Sequence, residues 1–121
     1  MRVTELSREG WGRWDEYVGH HPHGLPQHLA GWQTVLRNTY GYQMRYLLAQ
    51  REAGQGEIAG VLPLFMVRSP LLGSALMTLP GGMCADDEEA ATALLDEAKS
   101  MARRLHAKRL VLHDSRQVWQ A

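Results

Sequence analysis

A chain of 121 residues holds one domain or less, and it is long enough to bury a core without a metal or disulfide staple. Thirteen basic and thirteen acidic side chains cancel, which removes bulk charge as a reason to bind nucleic acid. The lone cysteine excludes an intrachain disulfide and fits a reducing compartment, and the opening MRVTELSREGW has no signal-peptide core, so the chain reads as cytoplasmic.

Residues 2–6 alternate weakly and form a candidate first strand. Ser7 is placed to cap a helix starting near Arg8. Trp11, Trp14, Tyr17 and Val18 then recur at helical spacing, and Pro22 and Gly24 end the helix. Residues 27–38 repeat the helical pattern with Leu29, Trp32, Val35 and Leu36 on one side, closed by Tyr40-Gly41. Residues 44–50 read as a strand, Gly54-Gln55-Gly56 as a turn, and 57–67 as the returning arm of a hairpin. A third strand covers 71–79 and stops at Pro80-Gly81-Gly82.

Residues 86–105 give the clearest helix. Ala90, Ala91, Leu94, Leu95, Ala98, Met101, Ala102 and Leu105 form one stripe. Acidic residues 86–89 open it, and Lys99, Arg103, Arg104 and His106 sit toward its end, matching the helix dipole. A short strand runs from Arg109 to His113, and the tail after it completes no element. A helix between two strands is a natural crossover, which makes those strands parallel neighbours. The expected fold is α/β (α+β), a mixed and mostly antiparallel sheet with helices packed on it, in the order β-α-α-β-β-β-α-β.

The run from residue 60 to 82, GVLPLFMVRSPLLGSALMTLPGG, is the most apolar part of the chain. Residues 58–79 are long enough to cross a bilayer. Arg68 in the middle, with Pro63, Pro70, Gly60 and Gly73, argues for two buried strands joined by a turn instead. Pro63 cannot donate to a ladder, so it predicts an edge or a bulge at that point.

Several pieces then occur in a distinctive order: Trp14-Asp15, Tyr17-Val18, His21-Pro22, His28, Gly31-Trp32, Tyr40-Gly41 and residues 46–49 (YLLA). Residues 60–64 (GVLPL) and 67–69 (VRS), Leu72-Gly73, Leu79-Pro80 and Gly81-Gly82 follow. This order resembles FemAB-related proteins, particularly the exosortase-associated group, on the fold of the Gcn5-related N-acetyltransferases (GNAT). The resemblance implies an N-acyltransferase built from two such domains, with a cell-envelope or exopolysaccharide role. It matches the first, acceptor-side domain only, so residues 1–121 are expected to be one incomplete domain of a fold needing about 150 residues. It also implies an amine acceptor carrying anionic groups, and it allows an aminoacyl-tRNA donor.

CoA-using relatives cradle pyrophosphate with a Gln/Arg-x-x-Gly-x-Gly/Ala loop. Residues 80–86 here (PGGMCAD) lack that pattern, and four carboxylates follow, whose charge would repel a pyrophosphate. No cofactor is therefore expected.

The resemblance places Trp32 near the acceptor cleft, where Arg37, Arg68 and Ser69 are the candidate substrate-binding residues. Arginine suits phosphate or carboxylate because its planar fork pairs bidentately, while the plainer reading of each arginine is a solvated surface residue. His20, His21, His23 and His28 suggest a metal cluster, but Pro22 interrupts the helix and no cysteine lies near, so a His-rich loop is favoured. Cys84 reads as a small semi-buried side chain, and Trp11, Trp14, Trp32 and Tyr40 read as core. Trp119 lies in the tail with no periodic partner. No catalytic residue is identified. The alternative to the transferase fragment is a non-catalytic assembly module. In either case the edge from Arg109 to His113 is expected to pair with a second acyltransferase-like domain or a second copy of the chain.

Overall fold

Trp14 sets the geometry of the first third of the chain. Residues 1–22, 24–52, 56–71, 73–78 and 82–112 are described by a computed structural model. Strand β1 (Arg2–Glu5) leads through a 3-10 turn at Arg8–Gly10 into helix α1 (Trp11–His20). Ser7 occupies the N-cap position of that turn, but its side chain makes no capping bond. α1 buries Trp14 and Val18, as the spacing predicts. Trp14 is fully buried, stacks on Tyr46 with ring centroids 5.1 Å apart, and donates its Nε1 hydrogen to the His28 carbonyl at 2.6 Å.

That last bond sits where the chain departs from the sequence pattern. A helix over residues 27–38 would bond the Trp32 N–H to the His28 carbonyl. The Trp14 Nε1–H bonds there, and the Trp32 N–H goes to the Leu29 carbonyl. The chain makes a 3-10 turn at Pro26–His28, extends at Leu29, and enters helix α2 (Trp32–Tyr40) later than expected. Gly41 closes α2 with φ of 71°, a left-handed position that favours glycine.

The orientation of α2 also differs from expectation. Of the expected apolar side, Leu29, Trp32 and Val35 are 39%, 39% and 46% exposed and Leu36 is half-buried, and Tyr40, expected in the core with Trp32, is 62% exposed. Gln33 is the buried residue of this helix, and its Nε2 has no hydrogen-bond partner. Of the four aromatic residues expected in the core, Trp14 is buried and Trp11 half-buried, whereas Trp32 and Tyr40 face solvent.

The imidazole of His28 completes this corner. Its Nδ1 accepts from the Leu25 N–H at 2.9 Å, and its Nε2–H donates to the Gly82 carbonyl at 2.8 Å. The ring is fully buried and ties the α1–α2 connection to the chain just before Met83.

The expected strands are present but divided. Residues 44–50 split into β2 (Gln43–Met44) and β3 (Leu47–Gln50), and residues 57–67 into β4 (Ile58–Leu62) and β5 (Leu64–Ser69). Pro63 falls at the second break, where the disruption was expected. β6 (Gly73–Thr78) follows the hairpin at Arg68-Ser69, and β7 (Cys84–Ala85) is a short strand that the sequence pattern did not reveal. Helix α3 (Glu88–Arg104) then leads to β8 (Arg109–Val111). Among the described residues two four-stranded sheets result, β1-β3-β4-β7 and β2-β5-β6-β8. All pairings are antiparallel except β6 with β8, which are parallel across α3, as a crossover requires.

Two layers of side chains cover the sheets. Leu47, Ala49, Leu62, Leu64 and Leu76 pack with Ala90, Leu94, Ala98 and Met101 of α3. Tyr46, Leu48, Val61 and Phe65 pack with Trp14 and Val18 of α1. Alternation along the strands produces the two faces. Gly60 is required by close approach, since a Cβ there would meet Leu94 Cδ1 at 2.9 Å and the Cys84 carbonyl at 3.2 Å. No helix among the described residues is long and apolar enough to cross a membrane. The expected turn residues Gly54 and Gln55, the strand end from Leu79 to Gly81, and Leu72, His23, His113 and Trp119 lie outside the described residues.

Replacing His28 with alanine strands a buried N–H and a buried carbonyl and opens a cavity. We expect His28→Ala to lower unfolding free energy by about 2–4 kcal/mol in urea denaturation. A loss under about 1 kcal/mol, the net worth of one ordinary hydrogen bond, would show that the tie is dispensable.

Candidate functional site

The last two turns of α1 stand over the start of β4 and the end of β7, and a cleft of about 780 Å³ lies between them. α1 contributes Arg13, Glu16, Tyr17 and His20, with His21 and Pro22 just after its end. Glu57, Ile58, Ala85 and Asp86 form the opposite wall. This volume lies in the range of small-molecule sites, roughly 300–1,000 Å³.

The walls are tied by Tyr17. Its hydroxyl points to the Asp86 carboxylate at 2.8 Å and the Ala59 carbonyl at 3.1 Å. Both are acceptors, so the single phenolic hydrogen is committed between them. Burial, then the bond to Asp86 and its charge, push the Tyr17 hydroxyl well above its ordinary value. It therefore stays protonated at any physiological pH. His21 Nε2–H donates to the Ala85 carbonyl at 3.2 Å, and its ring centroid lies 5.5 Å from that of Tyr17. His20 Nδ1–H donates to the Glu16 carbonyl at 2.8 Å, which leaves the Nε2 lone pair as that ring's other polar group. Arg13 Nη2 reaches across to the Gly56 carbonyl at 2.9 Å.

Next to the cleft, the acidic start of α3 is partly paired within the chain. Asp87 is the N-cap, and its Oδ1 accepts from the Ala90 N–H at 2.9 Å. Arg51 reaches Asp87 Oδ2 at 2.9 Å, Asp86 at 3.8 Å and Glu89 at 3.9 Å. The Ala90 N–H and then Arg51 hold the Asp87 carboxyl below the ordinary carboxylate range. The sequence pattern gave these carboxylates as a repulsive cluster. Arg51 and the cap convert part of that charge into a lock on the helix end.

The sequence-predicted residues lie elsewhere. Trp32 and Arg37 are on the solvent side of α2, and Arg68 and Ser69 end β5 at the hairpin to β6. None of the four lines the cleft. Among the described residues no group of three or more His, Cys, Asp or Glu side chains is placed to hold a metal ion. Of the histidines, His28 became a buried tie while His20 and His21 line the cleft. Cys84 is fully buried in β7. Sequence reasoning missed the cleft residues Tyr17 and Asp86, which are 69 positions apart. The only signal was a tyrosine on the buried face of α1 and an acidic pair opening α3.

No protein-family model matches the chain, and no curated protein matches it. Solved structures do. A ribosomal-protein-alanine N-acetyltransferase from Brucella melitensis biovar Abortus superposes with a TM-score of 0.70 at 15% identity, covering 98% of this chain and 83% of that one. A GNAT family acetyltransferase from Staphylococcus aureus gives 0.68 at 12% identity, with 99% and 91% covered. A probable acetyltransferase gives 0.64 at 21% identity, with 98% and 82% covered. These likenesses show that the chain has the GNAT acetyltransferase fold.

A lowered carboxyl in the native state stabilises it above the ordinary carboxylate value, and that stability is lost as pH falls through the native value. The urea midpoints of the native protein and Asp87→Asn should therefore differ by a constant amount above about pH 5 and converge below about pH 4. A gap that persists unchanged into acid would mean that the Asp87 charge contributes nothing.

Proposed function

We propose that this chain is the acceptor-side part of an N-acyltransferase of the FemAB type. It would act in the cytoplasm, on an amine carried by a cell-envelope or exopolysaccharide precursor. The observation that carries the donor side of this reading is the start of α3. The fold is that of acetyltransferases, yet the Asp87 carboxylate fills the helix N-terminus and Arg51 pins it there. A helix end already bonded to its own carboxylate is a poor cradle for the pyrophosphate of CoA. An acyl or aminoacyl ester, including the aminoacyl-tRNA that the family resemblance allows, fits this scaffold better.

In such a transfer the amine nitrogen attacks the ester carbonyl carbon, an N–C bond forms, and the C–O bond breaks. The proton lost from nitrogen ends on the departing alcohol. The step needs oriented donors for the developing oxyanion and a proton acceptor. We assign neither to a residue of this chain.

The acceptor side rests on α2. Its apolar residues Trp32 and Val35 face solvent while polar Gln33 is buried, an arrangement suited to a surface that something else covers. Arg37 on the same helix, with Arg68 and Ser69 at the hairpin, would meet the anionic part of the acceptor.

One observation favours the second reading, an assembly module. Among the described residues β8 is the last strand of its sheet, so its outer edge is open to a second acyltransferase-like domain or a second copy. The Lys108 and Arg109 charges there weaken the case, since edge cations discourage pairing.

Calorimetry with CoA should show no saturable binding below about 1 mM, a binding free energy of about −4 kcal/mol. Sub-millimolar saturation would contradict the donor reading. In the intact protein Arg37→Ala should weaken acceptor binding about tenfold, one charged hydrogen bond of ~1.5 kcal/mol. Unchanged acceptor affinity would remove Arg37 from the site.

A further inference from the structure

Three segments converge at one end of the sheet β2-β5-β6-β8. The β5–β6 hairpin turns over residues 70–72, with Ser69 paired to Gly73 and Arg68 to Ser74. The connection after α3 lies against it. The Ser74 hydroxyl donates to the His106 carbonyl at 3.3 Å, and the Lys108 N–H donates to the Ser74 carbonyl at 2.8 Å. The Lys108 stem lies over Gly73, where a Cβ would meet its Cδ at 2.6 Å. β8 starts beside them, with Arg109 opposite Ala75.

Charge at this end has one sign. Residues 67–75 and 98–109 hold six Lys or Arg and no Asp or Glu, in a chain whose charges cancel overall. Arg104 is paired with Glu97. Arg68, Arg103, Lys108 and Arg109 are exposed, and none makes an ion pair among the described residues. Alternation puts Arg68 on the α3 face of the sheet and Arg109 on the other, so cations flank the hairpin end from both sides.

The tip between them is apolar. Hairpin turns ordinarily carry Gly, Asn, Asp or Ser, and this one carries Pro70, Leu71 and Leu72. Leu71 is 94% exposed. Turn geometry does not demand it, because Gly73 takes the left-handed position with φ of 82°. Simpler roles cover part of the pattern: edge cations guard β8 against pairing, and Arg103 complements the α3 dipole. Neither accounts for Arg68 or for a leucine at the tip. Nucleic acid suits the charge but leaves the apolar tip unused, and residues 67–75 and 98–109 contain no Phe, Tyr or Trp on which a base could stack.

We infer that this hairpin end docks on the surface of an anionic lipid bilayer. Leu71 enters the boundary between headgroups and acyl chains, and Arg68, Arg103, Lys108 and Arg109 sit over lipid phosphates. Such a contact is peripheral and reversible, since a single aliphatic side chain with a few cations recruits without anchoring. The inference goes beyond the transferase reading and does not depend on it; Arg68 is the one residue the two share.

Sedimentation of the full chain at low salt with vesicles of equal parts phosphatidylglycerol and phosphatidylcholine tests it. The chain should bind these vesicles saturably and should not bind phosphatidylcholine alone. Leu71→Ser should weaken partitioning about tenfold, because one leucine is no longer buried. Arg68→Gln with Arg109→Gln should weaken it about twentyfold, roughly fivefold for each charge. All three side chains are exposed, so the variants should keep the native thermal midpoint. If the double variant does not fold, Arg68→Gln alone should give the loss of about fivefold. Absence of binding to the anionic vesicles, equal binding to both compositions, or binding that ignores Leu71→Ser overturns the inference. So does a single-stranded RNA oligonucleotide that binds more tightly than the vesicles and equally well to Leu71→Ser, because nucleic acid is then the occupant.

Discussion

The Trp14–His28–Gly82 tie organises everything on one side of the sheets. Trp14 must bury a large ring and also satisfy an indole N–H, and it does both by taking the His28 carbonyl. His28 in turn spends both ring nitrogens on backbone groups from two separate segments. Buried polar groups cost little when every one is paired and much when one is not. The consequence is spatial. The α1–α2 connection is pinned to the chain preceding β7, and the C-terminal turns of α1 are held above the end of β7. Tyr17 and His21 then tie the cleft walls with their own bonds to Ala59, Asp86 and Ala85.

The second constraint is Pro63. It interrupts a strand that would otherwise run unbroken through residues 58–69, so β4 and β5 belong to different sheets. The partner strand divides at the same level, where the Arg45 N–H bonds to the Leu64 carbonyl and the Leu6 N–H to the Tyr46 carbonyl. On the far face α3 covers the joint with Leu94 seated on Gly60. The sheets diverge from this region. One carries the acidic cleft at its β4–β7 end, and the other ends at β8 among the described residues and carries the Arg68-Ser69 hairpin.

Much of the scaffold was legible in the sequence, and the reasons are local. The stripe on α3 is long and regular, its caps are charged as the dipole requires, and the parallel β6–β8 pair follows from chain order alone. α2 was misread because periodicity reports that a face is apolar, not which way it points. The helix starts late beside a hydrogen bond from Trp14, a contact with a distant element that no window on residues 27–38 contains. β7 was hidden by its two-residue length. The cleft was illegible for a related reason: Tyr17, Glu57 and Asp86 come from three elements, and each alone looks like ordinary helix, turn or cap chemistry. The histidines show the same limit. Their pattern favoured a His-rich loop over a metal cluster, and the fold gave His28 a structural task and set His20 and His21 in the cleft wall.

Taken together, the molecule has an acyltransferase fold with a self-capped α3, an apolar helix turned outward, and a carboxylate-rich cleft under α1. The Asp87 cap and the Arg51 pair leave the start of α3 a poor cradle for CoA. Amide chemical-shift mapping of the isotopically labelled chain during a CoA titration tests this most directly, because it locates any ligand without assuming a reaction. The predicted result is no saturable set of shifts at residues 82–92 below about 1 mM CoA. Saturable shifts there at lower concentration would contradict it.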